Sequence, residues 1–419
     1  MRLDRIVPAA VRATLVCAAG LVLFTGCGKR TVTPVVPLQH YGSLTLTPPS
    51  DSLTVGGTRQ FVAVVLDTNA AVVPGAAVSW SSSNSAVASV SGSGLATANG
   101  EGVAWIIAKA GDQSDSSIVH VYTQNGWYTQ TSGTAQNLNG VFVQADGRTG
   151  VAVGDIGTVV RTTNAGATWA PVTSGTASHL NAVWFTSTSV GWAVGDAGTV
   201  LKTTNGGTSW VRQVNVSVSQ NLFGVRFTDT QHGWIVGASG VIARTIDGGG
   251  TWTKSFPTAQ QLNSVSFPDT LNGWAVGTTG VIVGTHDGGR SWYIVQPSVT
   301  VQTLHSVWRL SNTLAWAVGA QGSTPSTAAT TDSLAWSLSS QGASDLFMGV
   351  QFVDALTGYA VGTNAGGLIM KTTDGGTNWN TQVPNSAQGL NGVYFVDALR
   401  GWAVGNAGRI VHTSRGGNL

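Results

Sequence analysis

The sequence predicts an all-β protein, a β-sandwich followed by a seven-bladed β-propeller. Three observations carry that prediction. Short runs of alternating hydrophobicity recur through the chain and are separated by turn residues, the signature of half-buried strands. Glycine is abundant, at 56 of 419 residues, and tryptophan is frequent at 16, while charged residues make up only 9 %. From about residue 123 onward one motif returns at a nearly fixed period. A formal net charge of +2 implies no strong electrostatic partner such as nucleic acid.

The first element is a targeting segment. "MRLDRIVPAAVR" is basic, and "ATLVCAAGLVLF" is an apolar run too short to make a comfortable permanent span. It ends in "FTGC", which resembles a bacterial lipobox. The resemblance implies cleavage after residue 26 and lipid attachment at Cys27, with Gly28 rather than Asp next, the outer-membrane default in a Gram-negative cell. Cys17 leaves with the signal, so the mature chain has no cysteine pair for a disulfide. Residues 27–41, rich in Pro and Thr and without periodicity, read as a tether.

Residues 42–122 hold six or seven short alternating runs, among them "RQFVAVVLD", "AVSWSSS" and "GVAWIIAKA". Their density predicts a β-sandwich. Val55-Gly56, the stretch Trp80 to Asn84, "VASVS" and "GLATANGEG" resemble the group 2 bacterial Ig-like domain. That resemblance implies a spacer or adhesive module, with Trp80 as a core plug.

The remainder, 123–419, is repetitive. A "GWAVG" element or a variant of it begins at Gly150, Gly191, Gly233, Gly273, Ala315, Gly358 and Gly401, at steps of 40 to 43 residues. Each unit reads "L-N-x-V-x-F", then "GWAVG", then "GTVLKTT", then "NGG" or "DGG" followed by "x-W" and a short polar run. That is four strands per unit, and a unit of that size must stack on neighbours to bury both faces. The seventh unit stops at "HTSRGGNL", one residue before its Trp, and the missing Trp and strand stand at the start of the region as "NGWYTQTSG". Residues 127–132 are therefore expected to complete the last blade, which removes two exposed edges.

The turn boxes carry Asp in some units, Asn in others and Arg415 in the last. A catalytic carboxylate would not vary this way, so the boxes read as Asp-box-like structural turns. They also resemble the bacterial neuraminidase repeat. A sialidase needs an arginine cluster and a Tyr–Glu pair, and Glu101, outside the repeats, is the chain's only glutamate. Asp229, Asp269, Asp354 and Asp397 occupy one repeat position after the inner strand and read as turn formers, whereas Asp155, Asp196 and Asp345 lie outside that column with no evident pairing. The histidines show no metal-ligand spacing, and no nucleophile elbow occurs. No catalytic residue, metal or cofactor is expected.

"L-N-x-V-x-F", "GWAVG-x-x-G" and "[KR]-T-T-D-G-G-x-x-W" together resemble the photosystem II stability and assembly factors, over about 123–419. The resemblance implies a cofactor-free propeller that binds a membrane-protein client. Two columns are candidates for partner contact. One is the basic position before the Thr pair, Arg161, Lys202, Arg244, Lys371 and His412, whose alternative is a solvated strand end. The other is the variable inner-strand position, which includes Trp184, Arg226, Trp308 and Tyr394 beside Phe142, Ser266 and Gln351. Its alternative is differential packing between blades. Asn139, Asn181, Asn263 and Asn391 begin inner strands and are expected near the channel mouth. The expected protein is an exported, monomeric lipoprotein, held at a membrane by its lipid, binding a protein or glycan but no nucleic acid. A carbohydrate-active hydrolase and a structural adhesion protein are the alternatives.

Overall fold

The computed structural model describes residues 40–419 except 123–125, 296–297, 299, 321–322, 329–335, 341–344, 365, 383–387 and 418–419. Cys27, the signal segment and most of the tether lie outside the described residues.

Residues 42–122 form nine short strands in three sheets. The four-stranded sheet runs Ser50–Thr54, Gln113–Tyr122, Gly102–Ala110, Ser79–Ser82. Its interior face presents Ala104, Ile106, Val119 and Val121 to Leu44, Leu46, Phe61 and Val65 from the other strands. The sequence suggested fewer strands because Ser50–Thr54 and Thr58–Gln60 are polar and lack alternation. Trp80 is only half-buried, packed against the core from its margin rather than plugging it.

From Tyr128 onward the described residues form seven four-stranded antiparallel sheets, which we number as blades 1 to 7 by their inner strands: Leu138–Val143, Leu180–Phe185, Leu222–Phe227, Leu262–Ser266, Leu304–Arg309, Leu346–Phe352 and Leu390–Phe395. The outer strand of blade 7 is Tyr128–Gln130, paired with Ile410–Thr413 as Tyr128↔His412, Thr129↔Val411 and Gln130↔Ile410. The ring closes again at the inner strands, where Asn391 Nδ2 donates to Leu138 O at 3.0 Å.

Aromatic stacking between blades explains "GWAVG". In blades 2, 3 and 5 its Trp lies face-on against the Phe at the end of the next inner strand, as Trp234 does on Phe267 at 3.6 Å and Trp316 on Phe352 at 3.5 Å, with Tyr359 on Phe395 at 3.7 Å as a substitute in blade 6. The box Trp meets that Phe edge-on, as Trp292 does at 6.0 Å. The edge contacts suit the ring quadrupoles, while the face-to-face pairs bury large apolar faces against each other. The leading Gly of the motif is dictated by this packing, since a Cβ on Gly233 would lie 2.2 Å from the Phe227 ring.

The box turns hold themselves. In blade 3 the Thr245 hydroxyl donates to Asp247 Oδ1 at 2.8 Å and accepts from Gly249 N at 2.9 Å, while Thr251 N donates to Asp247 Oδ1 at 2.8 Å. Gly248 and Gly249 take φ of 67° and 87°, a region that costs a residue with a Cβ. Hydrogen bonds from Thr251 and Thr245 depress the Asp247 carboxyl to about 2. Asn164 and Asn205 make the equivalent bonds in blades 1 and 2.

Candidate functional site: the central channel

Every inner strand carries a β-bulge near its start, at the second residue in six blades and at Met348, the third, in blade 6, as the register shift from Leu138 to Gly140 shows in blade 1. A bulge re-aims the side chain it carries. Here it turns the Asn toward the next blade. Asn139 donates to Leu180 O at 3.0 Å, Asn181 to Leu222 O at 2.8 Å and Asn263 to Leu304 O at 2.8 Å, repeating the clasp made by Asn391. The residue after each bulge is small, and a Cβ on Gly140 would lie 3.2 Å from Ala182 Cα. Inner strands can therefore crowd the axis.

These strands enclose a blind funnel of about 670 Å³. Its mouth is uneven, and Asn263 of blade 4 stands between two blades without a clasp. Blades 7, 1 and 2 supply Asn406, Asp155, Asp196, His179 and the Asn clasps. Blades 3, 5 and 6 replace the clasp with Phe223, His305 and Met348. The lining includes two carboxylates and no lysine or arginine. Asp155 accepts from Asn137 at 2.9 Å, Asn139 at 3.0 Å and His179 Nδ1 at 2.9 Å. Burial alone would raise its carboxyl, but the bonds from Asn139, His179 and Asn137 outweigh it and hold the group below the ordinary aspartate value. Asp196 accepts from Asn181 at 3.0 Å. The two carboxylates that looked unpaired in the sequence thus share one cavity, each tied to an inner-strand Asn. Their equivalent positions 41 residues apart, each immediately after the closing Gly of a "GWAVG" element, were the signal for this.

One residue further along the strands than the lining valines Val141, Val183, Val225 and Val393 stands the variable column, which forms a floor under the funnel without lining it. Phe142 packs on Trp184 at 5.1 Å and Tyr394 at 4.6 Å. The Arg226 guanidinium lies over Trp184 at 3.9 Å and faces Trp308 at 4.8 Å, and Arg226 Nε donates to Phe267 O at 3.3 Å. Trp184 Nε1 and Gln351 Nε2 likewise donate to the following blade, at Phe227 O and Phe395 O. Withdrawal from water lowers Arg226 to about 10 and raises Tyr394 to about 12. The column fills the axis and stitches blade to blade.

The basic column is neither an exposed patch nor a solvated strand end. Arg161 Nε donates to Gly206 O at 2.7 Å, Lys202 Nζ to Gly248 O at 2.8 Å and Lys371 Nζ to Gly416 O at 2.9 Å. Each acceptor is the first Gly of the next blade's box. Arg244 lies beside the same Gly of blade 4, Gly288, whose carbonyl takes the Trp234 indole N–H at 2.9 Å. His412 is only 3 % exposed, bonded to Gly401 O at 2.8 Å and stacked on Trp402 at 4.0 Å. Burial, first of all, pushes it down to about 3. These contacts give the column a structural role: a charge one strand from a neighbouring turn satisfies that turn's carbonyl.

What fold and site define is a closed propeller with a blind axial funnel, preceded by an Ig-like sandwich. Two family models match the chain. The photosynthesis system II assembly factor YCF48 model matches residues 210–304 and 328–419, and the bacterial Ig-like domain (group 2) model matches 42–121. Among solved structures, YCF48 bound to D1 peptide is 20 % identical with a TM-score of 0.58, covering 70 % of this chain and 98 % of that one. YCF48 from Cyanidioschyzon merolae is 21 % identical with a TM-score of 0.58, covering 69 % and 98 %. The WD40 propeller domain of Doa1 is 11 % identical with a TM-score of 0.56, covering 68 % and 96 %. At these identities the likeness is one of fold. No curated protein matches the chain.

Proposed function

We propose that this chain is an exported lipoprotein whose propeller binds a protein partner in its axial funnel and holds it without chemistry. Cys27 carries the lipid, residues 28–41 are the tether, and the Ig-like domain carries the ring; in a Gram-negative cell the anchor lies at the outer membrane. The observation that carries the reading is the funnel lining. Two carboxylates stand on blades 1 and 2, with His179 against one of them, Phe223 and Met348 stand on blades 3 and 6, and among the described residues no lysine or arginine lines the funnel. Low-dielectric walls focus such a field, so the funnel favours a peptide segment with a lysine or arginine beside an apolar side chain. A glycan is the weaker fit because Trp184, Trp308 and Tyr394 are engaged in the floor. A glycosidase requires one carboxyl held protonated, and Asp155 is displaced the other way. The structural relative bound to a peptide lends the reading support by analogy.

The test is a peptide array probed with the mature chain, run beside a turnover screen on sialosides and plant glucans. Selective capture of basic-apolar peptides with no turnover is expected. Sustained glycan cleavage, lost on substitution of Asp155 or Asp196, would replace this reading with an enzymatic one.

A further inference from the structure

The seam of the ring rests on little. Its N-terminal strand is three residues long, and its partner strand lies some 280 residues away in sequence. The other outer strands remain attached to their own blade if they fray, whereas loss of this one leaves blade 7 held to blade 1 only by the inner-strand clasp of Asn391 and side-chain packing. Its outer edge is also where an unpaired strand would present free N–H groups.

The Ig-like domain covers that edge. Thr129 N, which points away from the pairing with Val411, donates to Glu101 Oε2 at 3.3 Å. The same carboxylate interacts electrostatically with Arg409, at the turn leading into the seam. The Tyr122 hydroxyl hydrogen-bonds the Ser414 hydroxyl just beyond the partner strand. Aromatic rings continue the contact: Tyr122 meets Tyr128 at 5.2 Å, and Tyr128 meets His412 at 5.0 Å. Tyr122 and Tyr128 are both almost fully buried. A spacer has no use for such contacts, and the chain's only glutamate is spent on one of them.

We propose that the Ig-like domain is a clasp on the propeller's closing seam, capping the edge of the latch strand through Glu101 and Tyr122 and thereby setting how readily the ring opens. This goes beyond the binding reading and is independent of what the funnel takes.

Amide hydrogen exchange on the full mature chain tests it. Glu101→Ala should speed exchange at residues 128–130 and 410–413 about tenfold, the scale of one lost bond to a charged group. Exchange in the Gly233–Gly237 strand of blade 3 should not change. Glu101→Gln, which keeps an acceptor, should recover most of the protection. Tyr122→Phe and Ser414→Ala should each speed seam exchange, and the double variant should do no more than Tyr122→Phe alone, whose hydroxyl also bonds Ser52. Unchanged seam exchange in Glu101→Ala, equal acceleration in blade 3, or additive effects of Tyr122→Phe and Ser414→Ala would each overturn the clasp.

Discussion

The two ends of the inner strands differ in chemistry although one repeat encodes both. At the mouth, the bulged position is Asn in four blades, and its amide bridges to the next blade while two carboxylates stay at the cavity. Three residues further along, the same strands carry Phe142, Trp184, Arg226 and Tyr394, which close the axis on one another. The difference teaches that variation within a repeat has two meanings. At the floor it fits unlike side chains into one crowded space. At the mouth it leaves charge and apolar surface open to solvent. Floor substitutions should therefore change stability and spare binding, whereas substitutions of the mouth carboxylates should change binding.

The largest effect should follow Trp234→Ala at a blade junction, which removes a stacked ring and its bond to Gly288 O. A loss of about 3–5 kcal/mol is expected in denaturant unfolding, and a loss below about 1 kcal/mol would mean the stack is not what joins blades. Phe142→Ala at the floor should cost about 3 kcal/mol while leaving peptide affinity at the mouth unchanged; a weakened affinity would blur the division between the two ends. Asn181→Ala should cost about 1 kcal/mol, the worth of one clasp, read from the shift in unfolding midpoint.

Much of this was legible in the sequence. The period gave the sheets, "HTSRGGNL" with "NGWYTQTSG" gave the closing strand, and the drift from Asp to Asn in the boxes marked them as turns. The roles of polar residues were harder to read. Arg161, Lys202 and Lys371 looked like a surface column because a sequence shows which residues repeat but not what the following blade places opposite them. Asp155 and Asp196 looked solitary because their partners, Asn139, His179 and Asn181, come from the inner strand of the same or the next blade, and the bulge that aims the asparagines has no residue signature of its own.

A smaller effect separates the turns from the mouth. Asp247 and Asp287 have carboxyls depressed to about 2 by their turn bonds, with burial opposing this in Asp287. A depressed folded value means their contribution is complete above the ordinary aspartate range and is lost as pH falls toward 2. Acid titration of the melting temperature should show a decline in that window, and Asp247→Asn, which imitates the natural boxes of blades 1 and 2, should flatten part of it. An identical acid profile in the variant would remove the box from the account.

The most direct measurement of the central claim is calorimetric titration of the mature chain with a lysine-containing apolar peptide and its lysine-to-norleucine counterpart, repeated with the Asp155→Asn/Asp196→Asn protein at low and physiological salt. The account predicts that the wild-type chain prefers the lysine peptide by about tenfold at low salt, less when salt screens the charges, and that the double variant loses the preference while still unfolding cooperatively. Equal affinity for both peptides, or a preference that survives in the double variant, would contradict the funnel as the binding site.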